Sequence, residues 1–354
     1  MFKTMSIYKL LLGVAFLLSQ NIVAQNSIKI LTEKKGISIR GLSVPSENVI
    51  WASGSKGSVV KSVDGGASFS WMQVKGYEQR DFRSIHAWND KEAVIVAIAS
   101  PAYILKTKDG GLNWYKVYEN VDTAMFLDAI HFKDNQNGIV VGDPLNSYIF
   151  QLITKDKGET WDKVPDNWFS EPLKRGEAFF ASSSSNIAQS KTQQFLITGG
   201  MASRLWINGK AQQIPIIQGK SSTGANSIAL SPNSNHILIV GGDFANDTNT
   251  NLNIVGLNSF LTPNTELKQY SAKKTIWTVN NKVTSPNGYK SAIAYLTNKI
   301  VVTCGTSGVD VSKNNGRTWQ KITGESFHVV KKQPNTNKVI FAGNGGRIGV
   351  MSIN

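Results

Sequence analysis

The sequence has one cysteine in 354 residues, Cys304. A single thiol excludes an internal disulfide framework and a cysteine-based metal site. Cys304 ends the apolar run Ile300-Val-Val-Thr-Cys304, which points to a buried structural thiol and not to a nucleophile. Charge is also scarce: only 18% of residues are Asp, Glu, Lys or Arg. Apolar runs long enough to cross a bilayer are missing after the first two dozen residues, so no transmembrane segment is expected there. There is no Gly-x-Ser-x-Gly elbow, no phosphate-cradling glycine loop and no dinucleotide fingerprint. No nucleic-acid motif is present either. These gaps leave no catalytic residue, metal or cofactor to assign from motifs.

The present features begin at the start of the chain. Lys3 and Lys9 precede the apolar run Leu10–Leu18, and Ile22-Val-Ala24 offers a small residue for cleavage. Residues 1–24 therefore read as a signal peptide, followed by a single domain over 25–354. Export to the periplasm or cell exterior is expected. The formal charge of +14 then favours an anionic partner such as an acidic protein or an anionic glycan. A monomer is expected, and nucleic acid is not.

A turn sequence recurs four times. It reads Ser62-Val-Asp-Gly-Gly-Ala-Ser-Phe69, Thr107-Lys-Asp-Gly-Gly-Leu-Asn-Trp114, Thr154-Lys-Asp-Lys-Gly-Glu-Thr-Trp161 and Ser312-Lys-Asn-Asn-Gly-Arg-Thr-Trp319. Asp64, Asp109, Asp156 and Asn314 can accept hydrogen bonds from the turn's own backbone. Gly66, Gly111, Gly158 and Gly316 permit positive φ. Phe69, Trp114, Trp161 and Trp319 open the outgoing strand with a large apolar surface. Each copy is expected to be a structural hairpin turn between two short strands.

A second repeat sets the number of units. A polar, small, apolar, any, apolar pattern appears at Arg40-Gly-Leu-Ser-Val44, Arg83-Ser-Ile-His-Ala87, Asp128-Ala-Ile-His-Phe132 and Glu177-Ala-Phe-Phe-Ala181. It continues at Asn226-Ser-Ile-Ala-Leu230, Ser291-Ala-Ile-Ala-Tyr295 and Glu325-Ser-Phe-His-Val329. Each copy is followed by a Val/Ile-rich run that mostly ends in Gly, as a strand does. Four strands per unit and seven units predict an all-β, seven-bladed β-propeller of four-stranded antiparallel blades. The small second residue fits inner strands that converge on one axis. The last unit is one strand short, and Ile28–Leu31 can supply it by pairing with Arg347–Ile353. Such pairing would close the ring and remove two sheet edges. The stretch from Gly256 to Asn287 reads as the tail of the fifth unit plus an inserted loop.

The repeated turn looks like the Asp box of bacterial neuraminidase repeats. Across nearly the whole of 25–354 the sequence resembles the photosystem II stability/assembly factor-like family. That resemblance implies an exported seven-bladed propeller that binds proteins and presents arginines on one face. Arg40 and Arg83 would occupy such places. Sialidases share the fold and carry an Arg-Ile-Pro motif on the first inner strand. Arg40-Gly-Leu does not keep it, and no complete sialidase constellation can be assembled.

The first repeat positions give the candidate site: Arg40, Arg83, Asp128, Glu177, Asn226, Ser291 and Glu325, with Arg175 and Lys290 beside them. By repeat logic they ring one mouth of the central channel. The reading that follows is a non-enzymatic binding or assembly scaffold with an arginine-bearing face. Paired carboxylates beside arginines keep a glycan hydrolase or lyase as the alternative, and a propeller oxidoreductase as a weaker one. His86, His131 and His328 share the fourth repeat position, where histidines packed between blades are expected more than a metal site. The run Asp243 to Asn253 is expected to be a polar loop, because it lacks calcium-loop spacing.

Overall fold

The computed structural model describes residues 27–263 and 273–353. The expected signal peptide lies outside them. The seven expected blades are present as four-stranded antiparallel units, and the sheet of blade five is widened to six strands by the short pair Glu177–Ala178 and Gly199–Gly200. Their inner strands are Ile39–Ser43, Phe82–Ala87, Leu127–Phe132, Ile187–Gln189, Thr223–Leu230, Ala292–Tyr295 and Val329–Lys332. The ring closes as the sequence suggests: Lys29–Thr32 pairs antiparallel with Ile348–Ser352 as the outer strand of blade seven. Among the described residues no helix is long and apolar enough to span a membrane.

The core is distributed between blades, and the strand period of two explains how. Along the strand Ala93–Ala97 every residue is buried. Val94 and Val96 point into the cluster shared with blade three, while Ala93, Ile95 and Ala97 point into the cluster shared with blade one. Seven such clusters fill the seven blade interfaces. Burial on both faces is what makes these strands nearly continuous Val/Ile runs.

The four repeated turns share one hydrogen-bond pattern. In the second, Thr107 Oγ1 donates to Asp109 Oδ1 at 2.9 Å and accepts the Gly111 N–H at 3.0 Å. Asp109 Oδ1 also accepts the Asn113 N–H at 2.9 Å. Gly111 has φ of +90°, and the same glycine in the other three turns is also positive. These donors hold Asp64, Asp109 and Asp156 down at about 2. The closing aromatic points back to the preceding blade: Phe69 joins the cluster with blade seven, Trp114 that with blade one and Trp161 that with blade two. The turn is therefore a rim device that fixes an interface aromatic.

Two sequence expectations are corrected. Glu177-Ala-Phe-Phe-Ala181 is not the inner strand of blade four. Only Glu177–Ala178 is extended there, pairing with Gly199–Gly200, and the inner strand starts ten residues later at Ile187. In blade seven the inner strand starts at Val329, so His328 takes the place expected of Glu325. The Gly256 to Asn287 stretch holds the tail of the fifth unit as expected: Ile254–Pro263 and Lys273–Val279 pair as the third and fourth strands of blade five.

Two measurements test this account. Removing residues 27–32 strips the partner from Ile348–Ser352, so the truncated protein should lose much of its melting temperature and aggregate through the new edge. An unchanged, monomeric melt would mean that another contact closes the ring. Thr107→Val keeps shape but leaves the Gly111 N–H buried without an acceptor, which should cost about 1–3 kcal/mol in denaturant titration.

Candidate functional site

The misread segment of blade four explains the channel. Phe179–Asn186 does not run along a blade; it crosses the axis. Ser182, Ser183, Ser184 and Ser185 are all buried. Ser182 Oγ donates to Asn226 Oδ1 of blade five at 3.0 Å, and Ser183 Oγ to the Ser291 carbonyl of blade six at 2.6 Å. Ser184 Oγ lies 2.6 Å from Ser84 Oγ of blade two and accepts the Ile130 N–H of blade three at 3.4 Å. Ser185 Oγ donates to Ser227 Oγ at 2.7 Å, and its carbonyl accepts the Ile228 N–H at 2.9 Å. A polar segment is stable on the axis because its hydroxyls and carbonyls are satisfied there. Room for it comes from small residues on the inner strands. Ser84 and Ser227, small residues on the inner strands of blades two and five, stand directly against it.

The serine segment splits the channel into two cavities. The larger, of about 450 Å³, is lined by Arg40, Arg83, Asp128, Asn226 and Ser291 from the expected ring. It adds Asp143, His328, Tyr289 and the aromatic walls Phe179, Phe180 and Phe244, with Ser182 on its floor. The other four expected members lie elsewhere. Glu177 is buried against Arg204, whose Nε and Nη2 donate to it at 3.0 and 2.7 Å. Arg175 is exposed away from the cavity lining. Lys290 is buried inside blade six, 2.6 Å from Asp310. Glu325 is exposed, 3.4 Å from Arg347. Repeat position alone placed these four wrongly, because Glu177 and Lys290 each have a buried partner of opposite charge that turns them away from the axis.

Electrostatically the cavity is uneven. Arg83 Nε is paired with Asp81 at 2.8 Å. Among the described residues Arg40 reaches only the Ser182 carbonyl, at 3.4 Å. Burial, then the neighbouring Arg83, lowers Arg40 from its ordinary value. Burial, with both arginines nearby, pushes His328 down to about 3, so it is neutral at physiological pH. Asp128 is fully buried, and neither carboxyl oxygen has a hydrogen-bond partner. Burial, then the charge of Asp143, raises it well above the usual carboxylate range. Burial raises Asp143 to about 6 although it accepts the Phe179 N–H at 3.1 Å. Tyr289 donates to Asn226 Oδ1 at 2.8 Å and is raised by burial to about 12. The arrangement offers two guanidiniums, a buried acid kept protonated at Asp128, a second at Asp143 that ionises above about pH 6, and aromatic sides. It suits an anionic group carried on an apolar or aromatic chain.

No protein-family model matches the sequence, and no curated protein matches it. Solved structures do match. The chain shares its fold with YCF48. The structure described as "YCF48 bound to D1 peptide" superposes with a TM-score of 0.61 at 16% identity, covering 93% of this chain and 96% of that one. YCF48 from Cyanidioschyzon merolae superposes with a TM-score of 0.59 at 15% identity, covering 92% and 99%. Identity this low establishes the common propeller and not a common partner.

The histidines divide between the two ends of the channel. His328 lines the arginine cavity, whereas His86 and His131 line the cavity at the other end. They are not three equivalent positions, which corrects the repeat reading. Among the described residues no group of three or more His, Cys, Asp or Glu is placed to hold a metal. Cys304 is buried, and burial raises its thiol far above the ordinary range.

Asp128 gives a pH-dependent stability. Its folded pKa is raised, so between the ordinary carboxylate range and that raised value the folded chain holds a proton that the unfolded chain has lost. Stability therefore falls as pH rises through that window. Asp128→Asn removes the penalty: it should melt higher than the parent at pH 7, by on the order of 2 °C or more. Near pH 4 the two should melt alike. A lower melting temperature at pH 7 would show that Asp128 is ionised and paired.

Proposed function

We propose that the protein is an exported, non-enzymatic binding or assembly scaffold that holds a peptide segment of an acidic partner in the arginine cavity. The observation that carries this reading is the Arg40–Arg83 pair: two guanidiniums share one cavity, and Arg40 has no carboxylate partner among the described residues. Arginine suits bidentate capture of a carboxylate. Phe179, Phe180, Phe244 and Tyr289 supply the rigid apolar sides that peptide-binding hot spots use. Likeness to a propeller solved with a bound peptide supports the same kind of occupant here. The positive charge of the chain supports attraction of an acidic partner at a distance. Lys3, Lys9 and the Leu10–Leu18 run support export, and N-terminal sequencing of the exported protein should begin at Gln25 or within a few residues.

An anionic glycan is the second reading. It is favoured by Asp128 and Asp143, two raised carboxyls on one cavity wall beside Arg83. Cleavage of an acidic glycan by the purified protein, lost in Asp128→Asn, would establish it over the scaffold.

The scaffold reading is tested by calorimetry with synthetic acidic peptides selected on an array. Arg40→Ala/Arg83→Ala should keep the parent's melting behaviour yet lose about 2–5 kcal/mol of peptide affinity. Affinity should also fall with added salt. It should weaken as pH rises through about 6, because Asp143 then places a negative charge on the cavity wall. Equal affinity of the double variant and the parent would move the partner to another surface.

A further inference from the structure

The far side of the serine segment holds a second cavity, of about 230 Å³. Inner strands of four blades supply its polar lining: Ser43 from blade one, His86 from two, His131 from three, and Lys331 and Lys332 from seven. Ser184 of the axial segment also lines it. No lining residue is acidic. Among the described residues neither lysine has an ion-pair partner. Ser43 Oγ accepts the Ala87 N–H at 3.0 Å, which leaves its own O–H free to donate. The imidazole of His86 is fixed by rings on two sides: Phe132 at 4.6 Å and Trp88 at 4.9 Å. The cavity therefore lines one end of the channel with hydrogen-bond donors and cations, on rigid strands, with no carboxylate in the lining to balance them.

We propose that this mouth is a binding site for a tetrahedral oxyanion of the phosphate class, separate from the arginine cavity. Donors on four blades around an axis match a tetrahedral group, which presents oxygens in several directions; a planar carboxylate faces only one way. The charge balance agrees. The groups that act on His86 are its own burial, then His131 and Lys331, and they hold it down at about 3. Burial and Lys331 hold His131 at about 4. Burial alone lowers Lys331. A bound dianion would leave the burial in place but oppose it by its charge, raising both imidazoles and favouring proton uptake as it binds.

The four histidines make this directly measurable. In a histidine-selective proton–carbon NMR titration with inorganic phosphate, and separately with sulfate, His86 and His131 should shift saturably. His236, on a blade-five strand beside Asn258, is the internal reference, and His328 reports the arginine cavity. Sulfate does not titrate near neutrality, so its tighter binding between about pH 7 and pH 5 would report imidazole protonation alone. Lys331→Met should weaken binding at least tenfold and Lys331→Arg should largely restore it, which separates charge from fold. Arg40→Ala/Arg83→Ala should leave the shifts unchanged, so failure here and failure of the peptide reading are distinguishable. Glycerol phosphate should compete with phosphate if the natural ligand is a free phosphate ester. Shifts confined to His328, shifts that only follow ionic strength in chloride, or shifts with phosphatidylglycerol vesicles and not with inorganic phosphate would each overturn the proposal.

Discussion

The hydrogen-bonded crossing of the axis by Ser182–Ser185 is the constraint on which the rest depends. Seven inner strands meet around a channel lined by polar groups that need partners. The serines satisfy Asn226, Ser291, Ser84 and Ser227 on three other blades and take up backbone groups of blades three and five. Each such bond is worth little, about 1 kcal/mol net. Their joint effect is larger in kind, because an unsatisfied buried hydroxyl or carbonyl would cost more than a made bond returns. The segment thus couples the first half of the ring to the second and gives both cavities a rigid floor.

Closure is the other end of the same problem. A propeller needs no disulfide if its last blade is shared between the chain's two ends, and this chain has one buried thiol. The pairing of Lys29–Thr32 with Ile348–Ser352 lets Ile28 and Ile30 pack against the cluster between blades six and seven. Hydrophobic burial and edge protection are gained by one short strand. The four rim turns act in the same direction, since each fixes an aromatic ring in the interface with the preceding blade.

The fold was legible because its two repeats carry physical requirements that few other sequences meet. A turn with a hydroxyl, a side-chain acceptor, a positive-φ glycine and an aromatic has little choice of shape. Blade four was not legible, for an equally physical reason. Glu177-Ala-Phe-Phe-Ala181 fits the inner-strand pattern better than Asn186-Ile-Ala-Gln189 does, and a serine run has no periodicity to announce that it will be buried. Only Arg204, an arginine inside a strand pattern, hinted that a buried carboxylate was needed nearby. Blade seven was misread by three residues, yet a signal was present. The residue before the first polar position is a buried apolar one in Ile39, Phe82, Leu127 and Ala225. Phe327 continues that series and puts His328, not Glu325, at the mouth. Of the candidate site, the arginines and Asp128 were readable from repeat position. Asp143 and the aromatic walls were not: Asp143 sits where the strand Gly138–Leu145 shifts register past Gly142, and the aromatic walls come from connections between strands, where the repeat pattern lapses.

The two cavities differ in a way that composition could not reveal. Both are rich in positive charge, but the larger balances it with Asp81 and, above about pH 6, with Asp143, while the smaller has no carboxylate in its lining. A balanced cavity can discriminate: its acids repel a bare anion unless the ligand also fills the aromatic walls, which favours an extended chain over a small ion. An unbalanced and smaller cavity, with no acid to offset its lysines, has the opposite preference, for compact charge. The axial serines keep the two apart, so one ring of strands can present two surfaces of different chemistry. Replacing a cavity-facing residue on one side should therefore leave the ligand preference of the other intact, as long as Ser182 and Ser184 keep their partners on the surrounding blades.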